Sequence, residues 1–138
     1  KAYGVFFDYV TSGRCGLVIT RTKPNKVRKT YGLEKTPILW LTEMKIKDEM
    51  TVGLNLHEIS MAISGFITHA ACQGPIILLD GLEYLITNIG FTSVLRFLQI
   101  QRDRVSKRNT NLIVPLDFEA LDKKELALLE TELRILEN

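Results

Sequence analysis

Ile76-Ile77-Leu78-Leu79-Asp80-Gly81 decides the fold. Four consecutive apolar side chains leave no polar face, so a strand built from them is buried on both sides. Gln73-Gly74-Pro75 punctuates the chain before it, and Asp80-Gly81 supplies turn residues after it. Two further runs share this character. Gly16-Leu17-Val18-Ile19-Thr20 is short, apolar and rich in β-branched residues, and Ile38-Leu39-Trp40-Leu41 follows the break at Thr36-Pro37. A fourth strand is expected at Leu112-Ile113-Val114, ended by Pro115, which cannot donate to a ladder.

The segments between these runs carry helical spacing. Tyr3, Phe6, Phe7 and Val10 mark an opening helix that Gly13 ends. Pro24 suits the first turn of a second helix, with Val27 and Tyr31 four apart and Gly32 as its stop. Asn55 and Glu58 form a cap ahead of Ile59, Ala62, Ile63, Phe66, Ile67 and Ala70. Phe91, Val94, Leu95, Leu98 and Val105 predict a longer helix ending near Lys107. Asp122 and Glu125 form a capping box before Leu126, Leu129, Leu133 and Leu136. Thr42 to Thr51 has no clean period and reads as a loop, and Leu82 to Gly90 reads as a helical turn or loop. Buried strands alternating with helices predict an α/β chain: a three-layer α/β/α sandwich around a mainly parallel sheet of at least four strands, RecA-like or Rossmann-like.

The 138 residues suit one domain. With 46% hydrophobic and 25% charged residues the chain is not a disordered tail, and a net charge of +2 specifies no partner. The longest apolar run, Pro75 to Leu79, is far shorter than a membrane span, and no basic-then-apolar leader opens the chain. Lys1 is not preceded by Met, and Tyr3, Val5, Phe6 and Phe7 already have core character, so a fragment of a longer polypeptide is expected. Cys15 and Cys72 are expected as separate apolar core residues, which points to a reducing, cytoplasmic setting.

In open parallel sheets ligands bind beyond the carboxyl ends of the strands. Here those ends supply Arg21, Thr22 and Lys23, then Glu43, then Asp80 and Glu83, then Asp117. Four apolar residues followed by Asp resemble a Walker B strand, with Asp80 on a metal shell and Glu83 beside it. The complementary half, a GxxxxGK[ST] phosphate loop, occurs nowhere in the sequence. Thr11-Ser12-Gly13-Arg14-Cys15-Gly16 has glycines but no Lys-Ser/Thr pair, and it precedes a strand.

Charge is unevenly spread. Arg21 to Lys35 holds six basic residues against one acid (+5), and Arg96 to Arg108 holds five against one (+4). Asp117 to Glu137 holds seven acids against three basic residues (−4). Separated faces of this kind steer acidic partners or let copies pair. Lys26, Arg28 and Lys29 form the candidate basic patch, without the interleaved aromatics of a single-strand stacking surface. His57 and His69 suit surface or capping roles, and Trp40 suits the core. No nucleophile–base pair, metal cluster or carboxylate dyad stands out, so no catalytic residue, metal or cofactor is expected.

Gly16 to Pro24, Tyr31-Gly32-Leu33, Thr36 to Leu41, and Leu78-Leu79-Asp80-Gly81-Leu82-Glu83-Tyr84-Leu85-Ile86 with Gly90-Phe91 together resemble the archaeal domain of unknown function (DUF) 835. The likeness runs to the helix at Glu125 to Glu130. The resemblance implies an archaeal module without an assigned activity, often joined to membrane segments or to sensor and signalling modules. The same order of motifs is more distantly similar to the RecA/KaiC-like ATPase core after its phosphate loop. On that likeness Leu17 to Thr20 and Asp80 match the strand after the phosphate-loop helix and the Walker B Asp. The family-matching residues at the ligand edge are Arg21, Thr22, Lys23, Pro24, Asp80 and Glu83, which contact a ligand or lock the strand ends through an Arg–carboxylate pair. The expected function is a non-catalytic module binding a protein or a second copy, cytoplasmic, and at the inner membrane face where segments outside this fragment anchor it. The rivals are an atypical nucleotide-binding domain using Arg21, Asp80 and Glu83, and nucleic-acid binding through Lys26, Arg28 and Lys29.

Overall fold

A computed structural model describes residues 2–106 and 109–133. Five parallel strands form one sheet: β1 (Gly16–Thr20), β2 (Ile38–Leu41), β3 (Thr51–Val52), β4 (Ile76–Asp80) and β5 (Asn111–Ile113), in the order β3-β2-β1-β4-β5. The helices are α1 (Ala2–Thr11), α2 (Pro24–Tyr31), α3 (Leu56–His69), α4 (Leu82–Ile89), α5 (Phe91–Ser106) and α6 (Lys123–Glu132), with a 3₁₀ turn at Phe118–Ala120. The three-layer α/β/α sandwich expected from the strand runs is the architecture observed.

Alternation along each strand sorts the core into two halves. Leu17, Ile19, Leu41, Ile77 and Leu79 pack with Ile59, Ile63 and Ile67 of α3, Leu82 and Leu85 of α4, Phe97 of α5 and Leu129 of α6. Val18, Ile38, Ile76 and Leu78 point the other way, onto Tyr3 and Phe6 of α1 and Val27 of α2. Burial on both faces is why β1 and β4 read as unbroken apolar runs. Gly16 is the point of closest approach: a Cβ there would stand 2.6 Å from Phe6 Cζ and 2.7 Å from Val10 Cγ2. Any side chain would push α1 off the sheet.

Three sequence expectations change. Leu82–Ile89 is a full helix, entered through Gly81 at φ 132°. The end of the Thr42–Thr51 loop becomes strand β3, because Trp40 N–H donates to Met50 O at 2.8 Å and Thr42 N–H to Val52 O at 2.9 Å. Cys15 and Cys72, expected as separate core residues, form a disulfide with Cα atoms 6.0 Å apart. Each immediately or closely precedes one of two neighbouring strands, and the Gly16–Ile76 register brings them together. A spacing of 57 residues hides that proximity in the sequence. The argument from two free thiols to a reducing compartment therefore falls. Lys107, Arg108, Arg134, Leu136 and Glu137, which entered the helix and charge readings, lie outside the described residues.

Among the described residues no helix is long and apolar enough to cross a membrane.

Candidate functional site

The chain leaves β1 through α2 on one face of the sheet and leaves β4 through α4 and α5 on the other. Between β1 and β4 the connections diverge, and this switch point is where an open parallel sheet offers a crevice to a ligand. Thr20 and Asp80 are register partners at its mouth. Of the residues singled out at the strand ends, Asp80 lies at this mouth, and Arg21 and Thr22 directly follow β1.

The chain's own side chains fill that mouth. Tyr3 crosses from α1, and its hydroxyl lies 2.9 Å from Asp80 Oδ2 and 3.1 Å from Thr20 Oγ1. A phenol has one proton, and the shorter contact assigns it to the carboxylate. The Thr20 hydroxyl donates to the same Asp80 oxygen at 3.3 Å and accepts from Thr22 N–H at 3.0 Å. Tyr31 of α2 stacks on the Tyr3 ring at 4.2 Å between centroids and 7° between planes. Thr20 is fully buried and Tyr3 nearly so. Burial pushes the Tyr3 hydroxyl well above the ordinary phenol range; the Thr20 contact opposes this and the Asp80 charge adds to it.

The other candidates are engaged separately. Arg21 makes no ion pair among the described residues: its guanidinium lies 3.6 Å above the Tyr84 ring, and Nη1 donates to Leu41 O at 3.4 Å. The expected Arg–carboxylate lock is thus replaced by a tyrosine–carboxylate one. Gly81 leaves room for this stack, since a Cβ there would stand 3.1 Å from Arg21 Cγ. Trp40, expected in the core, is half-buried, and its Nε1–H donates to Arg21 O at 3.2 Å. Glu83 accepts from Asp117 N–H at 2.6 Å and so ties α4 to the exit of β5. Lys23 is exposed at the start of α2 and makes no side-chain capping bond.

The basic patch is thinner than its sequence suggests. Lys26 and Lys29 are exposed, but Arg28 pairs with Glu49 at 3.5 Å and donates to Asn25 Oδ1 at 2.8 Å. The basic and acidic helices also meet within the molecule, where Arg102 of α5 pairs with Glu132 of α6 at 3.1 Å. His69 is exposed at the end of α3, its Nδ1 2.9 Å from Gly65 O. Among the described residues no group of three His, Cys, Asp or Glu side chains is placed to hold a metal.

The sequence reading missed Tyr3 as a partner of Asp80. One signal was present: a tyrosine in an apolar helix face brings a hydroxyl that needs a partner once buried.

Comparison with known proteins agrees with the architecture. A solved Pyrococcus horikoshii OT3 protein, the structural study of Project ID PH0250, superposes with a TM-score of 0.63 at 10% identity, covering 94% of this chain and 72% of that one. At that identity the likeness shows the fold alone. The structure of Drosophila ORC bound to DNA matches at 11% identity over 91% of this chain and 84% of that chain, with a TM-score of 0.34, too low to carry any argument. No curated protein matches. The family model described as protein of unknown function (DUF835) matches residues 1–133, and the chain belongs to that family.

Proposed function

We propose that this chain is a non-catalytic module that binds a protein partner or a second copy of itself in an archaeal regulatory or membrane-associated protein. One observation carries the reading. At the switch point of the sheet, Asp80 is held by Tyr3 and Thr20 from within the chain. A magnesium–nucleotide complex would need that carboxylate, and the crevice beside it, for itself. A ligand taken by Asp80 Oδ2 would have to offset the two hydroxyl–carboxylate bonds that oxygen already accepts. The absent GxxxxGK[ST] loop supports the same reading. Engagement of Arg28 by Glu49 and Asn25 weakens the nucleic-acid alternative. A cytoplasmic place belongs to the proposal.

Sedimentation velocity over a wide concentration range, followed by calorimetry with ATP and Mg²⁺, tests the proposal. Concentration-dependent association or a defined protein complex, with no nucleotide heat, is the expected result. Saturable nucleotide heat that disappears in Asp80→Asn would replace it with the nucleotide-binding reading.

A further inference from the structure

Beyond the filled switch point, the described surface has an open cleft of about 540 Å³ at the β3 edge of the sheet. Its floor is Leu39, Thr51 and Val52, and its walls are the loop after β2 and the outer flank of α3. Methionine is ordinarily a buried residue. The three methionines of this sequence are all exposed, and all lie at this edge. Met44 (68% exposed) and Met61 (60%) line the cleft, and Met50 (51%) immediately precedes β3. Flexible, polarisable thioethers in such a place suit contact with varied apolar side chains.

The cleft also has a charge character. Glu43 accepts from Leu54 N–H, and Glu58 accepts from Gly53 N–H at 3.2 Å. Both carboxylates therefore converge on Gly53. A point at the missing Gly53 Cβ lies 3.3 Å from Glu43 Oε1 and 3.3 Å from Glu58 Oε2. Among the described residues neither carboxylate has a cation within ion-pair distance. Lys45 and His57 also line the cleft. The Glu43 and Glu58 oxygens already accept the loop N–H groups, but both groups keep their charge. Against Lys45 they leave the lining net negative beside apolar walls, complementary to a cation carried on an apolar segment.

We propose that this cleft docks a short apolar segment of a partner protein that carries one Lys or Arg. The cation sits between Glu43 and Glu58, and aliphatic neighbours lie against Met44 and Met61. The proposal rests on the interaction reading above and names the partner chemistry it would use.

The test is selection of a displayed random hexapeptide library on the chain, with binding of the enriched peptides followed on methyl-¹³C-methionine protein. Three methionines give three methyl signals. Enriched peptides should combine aliphatic residues with Lys or Arg and should shift the Met44 and Met61 methyls. Glu43→Gln with Glu58→Gln should weaken them about tenfold, because loss of paired charge is costly. The Gln carbonyls still accept from Gly53 and Leu54, so the loop keeps its form. Met44→Ser with Met61→Ser should weaken the same peptides. Enriched peptides that are acidic, that leave both methyls unmoved, or that ignore the Gln pair overturn this site while leaving the interaction reading standing. No enrichment overturns this site; if sedimentation also shows a lone monomer and no complex forms, the interaction reading falls with it.

Discussion

The two ends of interest at the carboxyl edge of the sheet differ in how completely the chain satisfies itself. Between β1 and β4, Tyr3 and Thr20 both hydrogen-bond Asp80 Oδ2, Tyr31 stacks on Tyr3 and Tyr84 lies under Arg21. At the β3 edge, carboxylates with no ion-pair partner among the described residues face an open cleft walled by exposed methionines. Burial explains the contrast. β1 and β4 are central strands, where an unpaired polar group costs about 1–3 kcal/mol, so their polar ends are tied down. β3 is a two-residue edge strand, and the exposed Glu43 and Glu58 beside it can stay open at little cost. The first region reads as a device for stability and the second as a surface for recognition.

The largest effect should follow from breaking the central lock. Asp80→Ala removes the acceptor of two hydroxyls, one fully buried, and should lower unfolding stability by about 2–3 kcal/mol in denaturant titration. Gly16→Ala places a methyl inside contact distance of Phe6 and Val10. It should cost about 2 kcal/mol by the same measurement, because α1, which carries Tyr3, must move.

A smaller and more diagnostic effect belongs to Tyr3→Phe. It keeps the ring stack and loses the hydroxyl, so about 1 kcal/mol of stability should go at neutral pH. Its pH dependence has a fixed sign. The folded state keeps the Tyr3 proton above the pH at which the unfolded chain's tyrosine, with its ordinary value of 10.0, gives it up. The contribution is therefore complete below about pH 10 and is lost as pH rises beyond, by up to about 1.4 kcal/mol per pH unit. Wild type should lose its advantage over Tyr3→Phe and then fall below it as the solution is made more alkaline. Parallel curves would show that the hydroxyl is not held as described. The smallest effect is expected at the open cleft. Met44→Ser and Met61→Ser should each change stability by less than about 0.5 kcal/mol, while peptide binding falls. A large destabilisation there would make those side chains part of the core instead of a surface.

The contrast also marks what the sequence could reveal. Ile76–Leu79 and Gly16–Thr20 were legible because a strand buried on both faces needs an uninterrupted apolar run. Caps were legible because their chemistry is local: Asn55 accepts from Glu58 N–H, and Asp122 and Glu125 form a reciprocal box. β3 was not legible, since Thr51 and Val52 have no pattern of their own and become a strand only by pairing with β2. α4 was hard to see because eight residues between two glycines give barely two turns of periodicity. The candidate site was half legible. Asp80 and Glu83 announce themselves at a strand end, but Tyr3 lies 77 residues from Asp80 and meets it only through the path of α1 across the sheet. The methionine cleft was invisible for a similar reason: Met44 sits in a loop and Met61 on a helix, and only the fold places them opposite each other.

A double-mutant cycle between Tyr3→Phe and Asp80→Ala, which leaves no acceptor at position 80, tests the central claim most directly. Unfolding free energies of the wild type, both single variants and the pair should give a coupling of about 1 kcal/mol or more, as for two groups in one buried hydrogen-bond network. Additive losses, with a coupling indistinguishable from zero, would show that the two side chains do not hold each other and that Asp80 stands open to a ligand.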